Sequence, residues 1–280
     1  MPQRLAVLGS PIEHSRSPRI HAAAYRALGL DWRYSSVRCG EAGLASFLAS
    51  RDDDWRGFSV TMPLKNEAHR IARVLDPVAA ESGVVNTLLR RDDGWFGANT
   101  DVPGLAAAVA GVGLDARRTV VLGSGATAVS AILAVRQLGA ERVTILARNA
   151  DAGRALAARF ANTSDAQHGR SMEVVYGGAG ISAEVGPIAP SLVVSALPGP
   201  ASAEVALPEV VFEAPLFDVA YDPWPSPLSA RWRAGGRDVH PGTEMLVEQA
   251  IVQVRIFTHG DPTCPLDDEE AVRLAMRGAV

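Results

Sequence analysis

Cysteine is scarce: Cys39 and Cys264 are the whole complement in 280 residues. Two thiols make no disulfide framework, and no Cys/His spacing resembles a metal site, so a metal-free chain without disulfides is expected. Long apolar runs are missing too. None reaches the ~18 residues of a membrane span, so no membrane partner is expected. Basic runs stop at Arg90-Arg91 and Arg117-Arg118, and the net charge is -4; both argue against a nucleic-acid surface. The stretch from Arg4 to Gly9 reads as a strand entering a turn, without the apolar segment and cleavage site of a signal peptide. A cytoplasmic location is expected on that ground. Internal repeats and low-complexity tracts are also lacking. What remains is an ordinary globular balance, 48% hydrophobic and 21% charged, with length enough for two domains.

The most informative stretch is Ser59-Val60-Thr61-Met62-Pro63-Leu64-Lys65. Trp55 to Val60 predicts a strand, and Pro63 must end it because proline has no N–H for a sheet ladder. Asn66 to Leu75 carries Ala68, Ile71, Ala72 and Leu75 at helical spacing. Thr61 and Lys65 therefore fall in a strand-to-helix turn, where open α/β sheets hold their ligands. Most surface lysines are merely solvated. A cation is nevertheless unhelpful in a first helical turn, where the macrodipole favours anions, and this makes Lys65 a candidate for chemistry.

Upstream, Leu5–Leu8 predicts a buried strand. Ser17-Pro18 predicts a helix start, with Ser17 as N-cap and Pro18 at the first helical position, running to about Leu28 and stopped by Gly29. Free N–H groups beside the hydroxyls of Ser15 and Ser17 suit a ligand carboxylate or phosphate; capping alone would use one hydroxyl. Trp32–Val37 reads as a second strand and Gly43–Ser50 as a short helix. Strands alternating with helices imply a parallel α/β layer. Val84–Leu89 is the next strand. Asn86 interrupts it, and a buried amide there needs partners. Asp92-Asp93-Gly94 turns the chain into Trp95–Gly97. Asn99-Thr100-Asp101 then precedes a helix, Val102–Val112, for which Asp101 would be a natural N-cap.

A second α/β pattern follows. Thr119–Leu122 predicts a strand that runs into Gly123-Ser124-Gly125-Ala126-Thr127-Ala128, then a helix to about Leu138 and a strand from Arg142 to Ala147. A G-x-G-x-x-A turn between strand and helix is a dinucleotide-binding signature, since its glycines let the backbone approach a pyrophosphate. At the end of the second strand, where NAD sites usually carry Asp or Glu, stands Ala147-Arg148-Asn149, with Arg154 a turn later. A guanidinium matches a 2′-phosphate, which favours NADP. Asp151 falls where a helix N-cap would. Further strands are expected over 172–175, 192–195 and 215–219, as in a doubly wound sheet. Ala196–Pro200 makes a loop at the lip of a cofactor site. Tyr221–Pro225 makes a rigid second loop whose Trp224 reads as packing. A long helix spans Glu244 to about Thr258, with Leu246, Ala250, Val254 and Phe257 on its buried face and Gln249 and Gln253 one turn apart. A last helix covers Asp267–Met276.

Jointly, Gly9–Pro18, Ser59–Lys65, Val85–Thr87, Asn99–Asp101, Gly123–Ala128 and Gly242–Gln249 resemble the shikimate dehydrogenase family over nearly the whole chain. The resemblance implies two α/β domains: an N-terminal open α/β substrate domain over 1–101 plus 238–280, and a Rossmann, doubly wound nucleotide-binding domain over 102–237. It implies a site in the cleft between them, with hinge crossings near Asp101 and Arg237. It assigns Ser15 and Ser17 to the substrate carboxylate; Thr61, Lys65, Asn86, Asp101 and Gln249 to the ring hydroxyls and carbonyl; and Tyr221 to their vicinity. Lys65 and Asp101 become the catalytic pair. NADP becomes the cofactor, held by Gly123, Ser124, Gly125, Ala126, Thr127, Ala147, Arg148, Asn149, Arg154, Ser195, Ala196, Leu197, Val219, Gly242 and Met245. The implied reaction is reversible reduction of 3-dehydroshikimate to shikimate with NADPH, on the pathway to aromatic amino acids. Alternatives are a quinate/shikimate or aminoshikimate dehydrogenase using NAD; retention of both serines favours shikimate. Departures from the family pattern are Ser59 for Asn, Ala22 for Asn, Ala147-Arg148-Asn149 for Asn-Arg-Thr, and Ser195-Ala-Leu-Pro198 for Asn-Ala-Thr-Ser. The partner is a small-molecule substrate, and a homodimer stays open.

Overall fold

The computed structural model describes residues 3–161 and 171–280. The chain divides into two compact units, Met1–Gly104 with Leu246–Val280, and Leu105–Met245.

The first unit opens with β1 (Arg4–Gly9), α1 (Ser17–Ala27), β2 (Arg33–Arg38), α2 (Leu44–Ala49), β3 (Trp55–Val60) and α3 (Lys65–Ile71). It continues with β4 (Val74–Leu75), α4 (Pro77–Ser82), β5 (Thr87–Arg91), β6 (Gly94–Ala98) and the start of α5 (Asp101–Gly111). Among the described residues its sheet has six strands in the order β2-β1-β3-β5-β6-β4. β1 lies parallel to both β2 and β3, and β5 runs antiparallel to β3 and β6. Apolar side chains leave β1 on both faces. Leu5 joins a core with Ile20, Tyr25, Val254 and Phe257. Ala6 and Leu8 join another with Phe58, Val60 and Leu64. That is the two-residue period of a strand covered on both sides.

Three expectations need correction here. The helix expected over Asn66–Leu75 ends at Ile71. Ala72 is already extended, Arg73 donates its N–H to the carbonyl of Trp95, and Val74-Leu75 pairs with Phe96-Gly97 as the edge strand β4. A β-branched valine beside an open sheet edge is better satisfied by a ladder than by a helix. The strand expected over Val84–Leu89 begins at Thr87, after α4 closes at Gly83. Ser17 is not the N-cap of α1: Arg16 holds that position and no side chain caps the helix.

The second unit contains β7 (Arg118–Leu122), α6 (Ala126–Gln137), β8 (Arg142–Leu146), α7 (Ala150–Phe160) and β9 (Glu173–Gly178). Then come β10 (Leu192–Ser195), β11 (Leu216–Asp218), α8 (Pro227–Ala234) and β12 (Val239–Pro241). Its described strands are all parallel, in the order β12-β11-β10-β7-β8-β9. This is the doubly wound Rossmann order, which reverses direction between β7 and β10. The middle strands are apolar on both faces; Val120, Val121, Val193 and Val194 are all buried. β12 pairs with β11, so 238–245, expected with the outer segments, lies with the middle of the chain. The second passage between units falls at Met245/Leu246, inside α9 (Thr243–His259), rather than near Arg237. α10 (Glu269–Arg277) ends the chain and packs Val272 and Met276 into the first unit's core. Among the described residues, no helix is long and apolar enough to cross a membrane.

Candidate active site

β1 and β3 are parallel neighbours with Leu8 opposite Val60, so their following turns emerge side by side. Ser10 donates its N–H to the carbonyl of Met62 at 3.0 Å. The Ser10–Ser17 and Thr61–Lys65 turns are thereby stitched together. Ser15 Oγ accepts from the Ser17 N–H at 3.4 Å, and Ser17 is buried at the start of α1. Thr61 is half-buried, and its carbonyl accepts from the Leu64 N–H. Lys65 is the first residue of α3.

Across the sheet, Lys65 Nζ donates to Asp101 Oδ2 in an ion pair whose side chains are only 13% and 8% exposed. Asp101 opens α5, but its carboxylate is not spent on capping. Asn99 Oδ1 takes the Asp101 N–H at 3.0 Å and does that work instead. The second carboxylate oxygen, Oδ1, accepts from Asn86 Nδ2 at 2.8 Å. Asn86 Nδ2 also donates to Thr100 Oγ1 at 2.8 Å and reaches Gln249 Oε1 at 3.5 Å. Asn86 Oδ1 accepts from the Thr100 N–H at 2.9 Å and the Thr87 hydroxyl at 2.8 Å. Every polar atom of this buried amide is partnered, as burial demands. The structure thus joins Lys65, Asp101, Asn86 and Gln249 through direct contacts. A buried ion pair of this kind is costly to desolvate and is a weak source of stability; its rigid, low-dielectric setting makes it useful for stabilising a developing charge.

The network extends further than the sequence suggested. Gln253, one turn beyond Gln249 on α9, is 2% exposed. Its Nε2 donates to Thr87 Oγ1, and its Oε1 accepts from Ser59 Oγ and His21 Nε2. Tyr34 OH donates to Ser59 Oγ, and the His21 ring stacks on Tyr34 with centroids 4.0 Å apart. Burial pushes the His21 pKa down to about 3, opposed by the bond to Gln253. Between that value and the ordinary 6.5 the unfolded chain holds more protons than the folded one. Stability contributed by the neutral ring is therefore intact above pH 6.5 and is lost as pH falls toward about 3. The slope reaches ~1.4 kcal/mol per pH unit for this one group. Urea unfolding at stepped pH should show it, and His21→Phe should flatten it; an equal slope in that variant would refute the assignment.

In the second unit, β7 leads into Gly123 at φ +116, a left-handed turn that favours glycine, and α6 begins without a side-chain cap. Ser124, Ala126 and Thr127 are half-buried and Gly125 is exposed at the start of α6. Arg148 and Asn149 are exposed beyond β8, and Ala147 is buried. Asn149, rather than Asp151, caps α7 by accepting from the Ala152 N–H. Asp151 instead binds Arg154 at 2.8 Å, and that guanidinium lies 5.8 Å from the Tyr176 ring centre. Val219 donates its N–H to the carbonyl of Ser195, and Gly242 donates to that of Ala220, so the loops after β10, β11 and β12 run together. Ala196 and Leu197 are half-buried and Met245 is buried. Ser195 Oγ is buried with no hydrogen-bond partner. An uncapped helix start, a glycine turn, an exposed guanidinium and an orphaned hydroxyl near the strand reversal fit a dinucleotide phosphate. Tyr221 is half-buried in the loop after β11, and Trp224 packs under Arg233.

Of the 27 lysines and arginines, 26 are arginine and Lys65 is the only lysine. Arginine is effectively always protonated, whereas a lysine amine can release its proton. A chain that places arginine at every other basic position keeps an amine here.

A family model described as the shikimate dehydrogenase substrate binding domain matches residues 7–88. A curated relative from Rhizobium etli, named shikimate dehydrogenase (NADP(+)), is 32% identical over 256 residues, covering 88% of this chain and 86% of the relative. The crystal structure of Mycobacterium tuberculosis shikimate dehydrogenase superposes with a TM-score of 0.81 at 37% identity, covering 99% of this chain and 100% of that one. The shikimate 5-dehydrogenase of Thermus thermophilus, solved in complex with NADP(H) and shikimate, gives a TM-score of 0.76 at 28% identity, covering 99% and 100% of the two chains. Whole-length likeness in sequence and in fold, on top of a Rossmann sheet and a lone lysine paired to a carboxylate, decides the matter: the chain belongs to the shikimate dehydrogenase family.

Proposed function

We propose that this protein reversibly reduces 3-dehydroshikimate to shikimate with NADPH, with Lys65 and Asp101 as the catalytic pair. The observation that carries this reading is the buried Lys65–Asp101–Asn86 arrangement, an amine held by a carboxylate that is itself held by an amide. Bound NADPH supplies the hydride. As the substrate's carbonyl oxygen gains negative charge, Lys65 Nζ stabilises it and delivers a proton, completing the hydroxyl. In the oxidative direction Lys65 takes that proton back. Asp101 fixes the position of the ammonium. Asn86, Gln249 and Thr61 orient the ring hydroxyls, and Ser15 and Ser17 receive the carboxylate at the start of α1. Tyr221 belongs to the same substrate set.

For the cofactor, the Gly123–Thr127 turn takes the pyrophosphate and Arg148 the 2′-phosphate, with Arg154 and Asn149 beside it. Ala147, Ser195, Ala196, Leu197, Val219, Gly242 and Met245 complete that set. The substrate domain corresponds to the first unit and the nucleotide domain to the second. The protein works in the cytoplasm, and a homodimer is the assembly to look for.

Absorbance at the NADPH band, with purified protein and shikimate or quinate and each cofactor in turn, tests the whole reading. Turnover of shikimate with NADP supports it; turnover only of quinate, or only with NAD, replaces it with the corresponding relative. Arg148→Leu should lower kcat/KM for NADP by roughly 10-fold to 100-fold, the worth of a charge-assisted bond, and leave NAD rates nearly unchanged. A variant that keeps its NADP preference would remove Arg148 from the 2′-phosphate site.

A further inference from the structure

Asn86 and Asp101 sit at one end of a hydrogen-bond chain whose direction can be read atom by atom. The Tyr34 hydroxyl donates to Ser59 Oγ at 2.6 Å, so the Ser59 proton is left for Gln253 Oε1, 2.7 Å away. His21 Nε2 approaches the same oxygen at 3.1 Å and His21 Nδ1 faces the Tyr25 hydroxyl at 3.3 Å, so the Nε2-protonated ring donates to Gln253 and accepts from Tyr25. With two donors on its oxygen, the Gln253 amide can stand only one way round. Its Nε2 then donates to Thr87 Oγ1 at 3.0 Å and to the Asn86 carbonyl at 3.4 Å. Thr87 Oγ1 thus accepts from Gln253 and donates its own proton to Asn86 Oδ1 at 2.8 Å. The Thr100 N–H supplies the second donor to that oxygen at 2.9 Å. Asn86 Oδ1 thereby holds two donors, and Nδ2 faces Asp101 Oδ1 and Thr100 Oγ1, each at 2.8 Å.

We propose that Gln253 is a positioning residue for the reaction. Through the Thr87 hydroxyl and the Asn86 carbonyl it locks the Asn86 amide in line with Asp101, and so holds the carboxylate that seats Lys65. The proposal rests on the reduction assigned above. It adds a group whose own hydrogen bonds run to His21, Ser59, Thr87 and the Asn86 backbone rather than to Lys65 or Asp101. A role in packing alone would be served by any side chain of similar volume. A role in orientation requires the donor at Nε2 and the hydroxyl at Thr87.

The test uses kcat with shikimate and NADP for Gln253→Met, Thr87→Val, Thr87→Ser and the Gln253→Met/Thr87→Val double variant. Val254→Ala, a buried cavity variant on the same helix outside the chain of bonds, is the stability control. Gln253→Met and Thr87→Val should each lower kcat by roughly 10-fold to 100-fold, the scale of a small misplacement of reacting groups. Thr87→Ser, which keeps the hydroxyl, should retain kcat even with a lower Tm. The double variant should be no worse than the poorer single, because both act through one path. Val254→Ala should lose Tm with kcat near that of the parent. Multiplicative effects in the double variant, or a Thr87→Val enzyme as active as the parent, would overturn the proposal. If Gln253→Met does not fold, the Thr87 pair decides alone. Should the parent itself fail to oxidise shikimate, the reaction assignment falls separately. The side-chain amide resonances of Asn86 then carry the test: they should shift in Thr87→Val and not in Thr87→Ser, and resonances that stay put in both would overturn the proposal.

Discussion

Lys65→Ala is expected to lower kcat by ~10²-fold to 10⁴-fold, the usual worth of a positioned acid or base, with little change in shikimate affinity. The reasoning is differential. The carbonyl oxygen of the bound ketone is nearly neutral, so an ammonium beside it adds little to ground-state binding. Charge grows on that oxygen only as hydride arrives, and the lysine matters most then. Lys65→Arg should recover little, because a guanidinium keeps its proton at any working pH. Removing the amine also leaves Asp101, 8% exposed, with Asn86 as its remaining side-chain partner. Some loss of stability should accompany the loss of rate. The measurement is steady-state kcat and KM alongside shikimate binding by calorimetry. A Lys65→Ala enzyme with near-parental kcat, or one whose whole defect lies in binding, would remove Lys65 from the catalytic role. Because no other lysine exists, amine acylation of the parent reports on Lys65 and the amino terminus alone. Shikimate should therefore protect most of the labelled side-chain amine.

How far the sequence could lead depended on whether local chemistry and tertiary setting agreed. The Rossmann unit was legible because its strands are continuous apolar runs and its glycine turn is a local requirement. Lys65 was legible as a misfit, a cation at a helix start. The helix starts show where local rules fail. Ser17-Pro18 carries the signature of a capped start, yet Arg16 is the N-cap and no side chain caps. Asp76-Pro77 and Ser226-Pro227 carry the same signature, and there Asp76 and Ser226 do cap α4 and α8. Those two helices are short and lack a clear apolar period, so the sequence carries no periodic sign of them. The Asn86 and Asn99 clusters were visible as polar residues beside strands, but their pairing crosses the sheet and has no local trace. Gln253 was the hardest. A buried helical glutamine looks like an exposed one until the strand it faces, with Ser59 and Thr87 in place, is known.

Gly104→Val should be strongly destabilising although it leaves every polar group in place. α5 and α9 meet there backbone to backbone. A Cβ on Gly104 would lie 2.5 Å from Gln249 Cβ, 2.6 Å from its backbone nitrogen and 2.7 Å from its Cα. None of these atoms is the free end of a flexible chain, so relief requires one helix to move. A single extra methyl in a tight core costs about 1–3 kcal/mol, the range expected for Gly104→Ala. A branched side chain at the same contact should exceed about 4 kcal/mol, which reaches the exceptional end of point-mutant effects. The displacement falls on Gln249 itself, whose Oε1 faces Asn86 and Thr100, so activity should fall with stability rather than after it. Gly104→Ala is the informative partner, because it should remain folded with kcat already reduced. Urea unfolding and steady-state kinetics on the two variants measure both effects. If Gly104→Val folded with parental stability, the close approach of the two helices would be refuted. If Gly104→Ala lost stability and kept full activity, the seating of Gln249 would not depend on that contact.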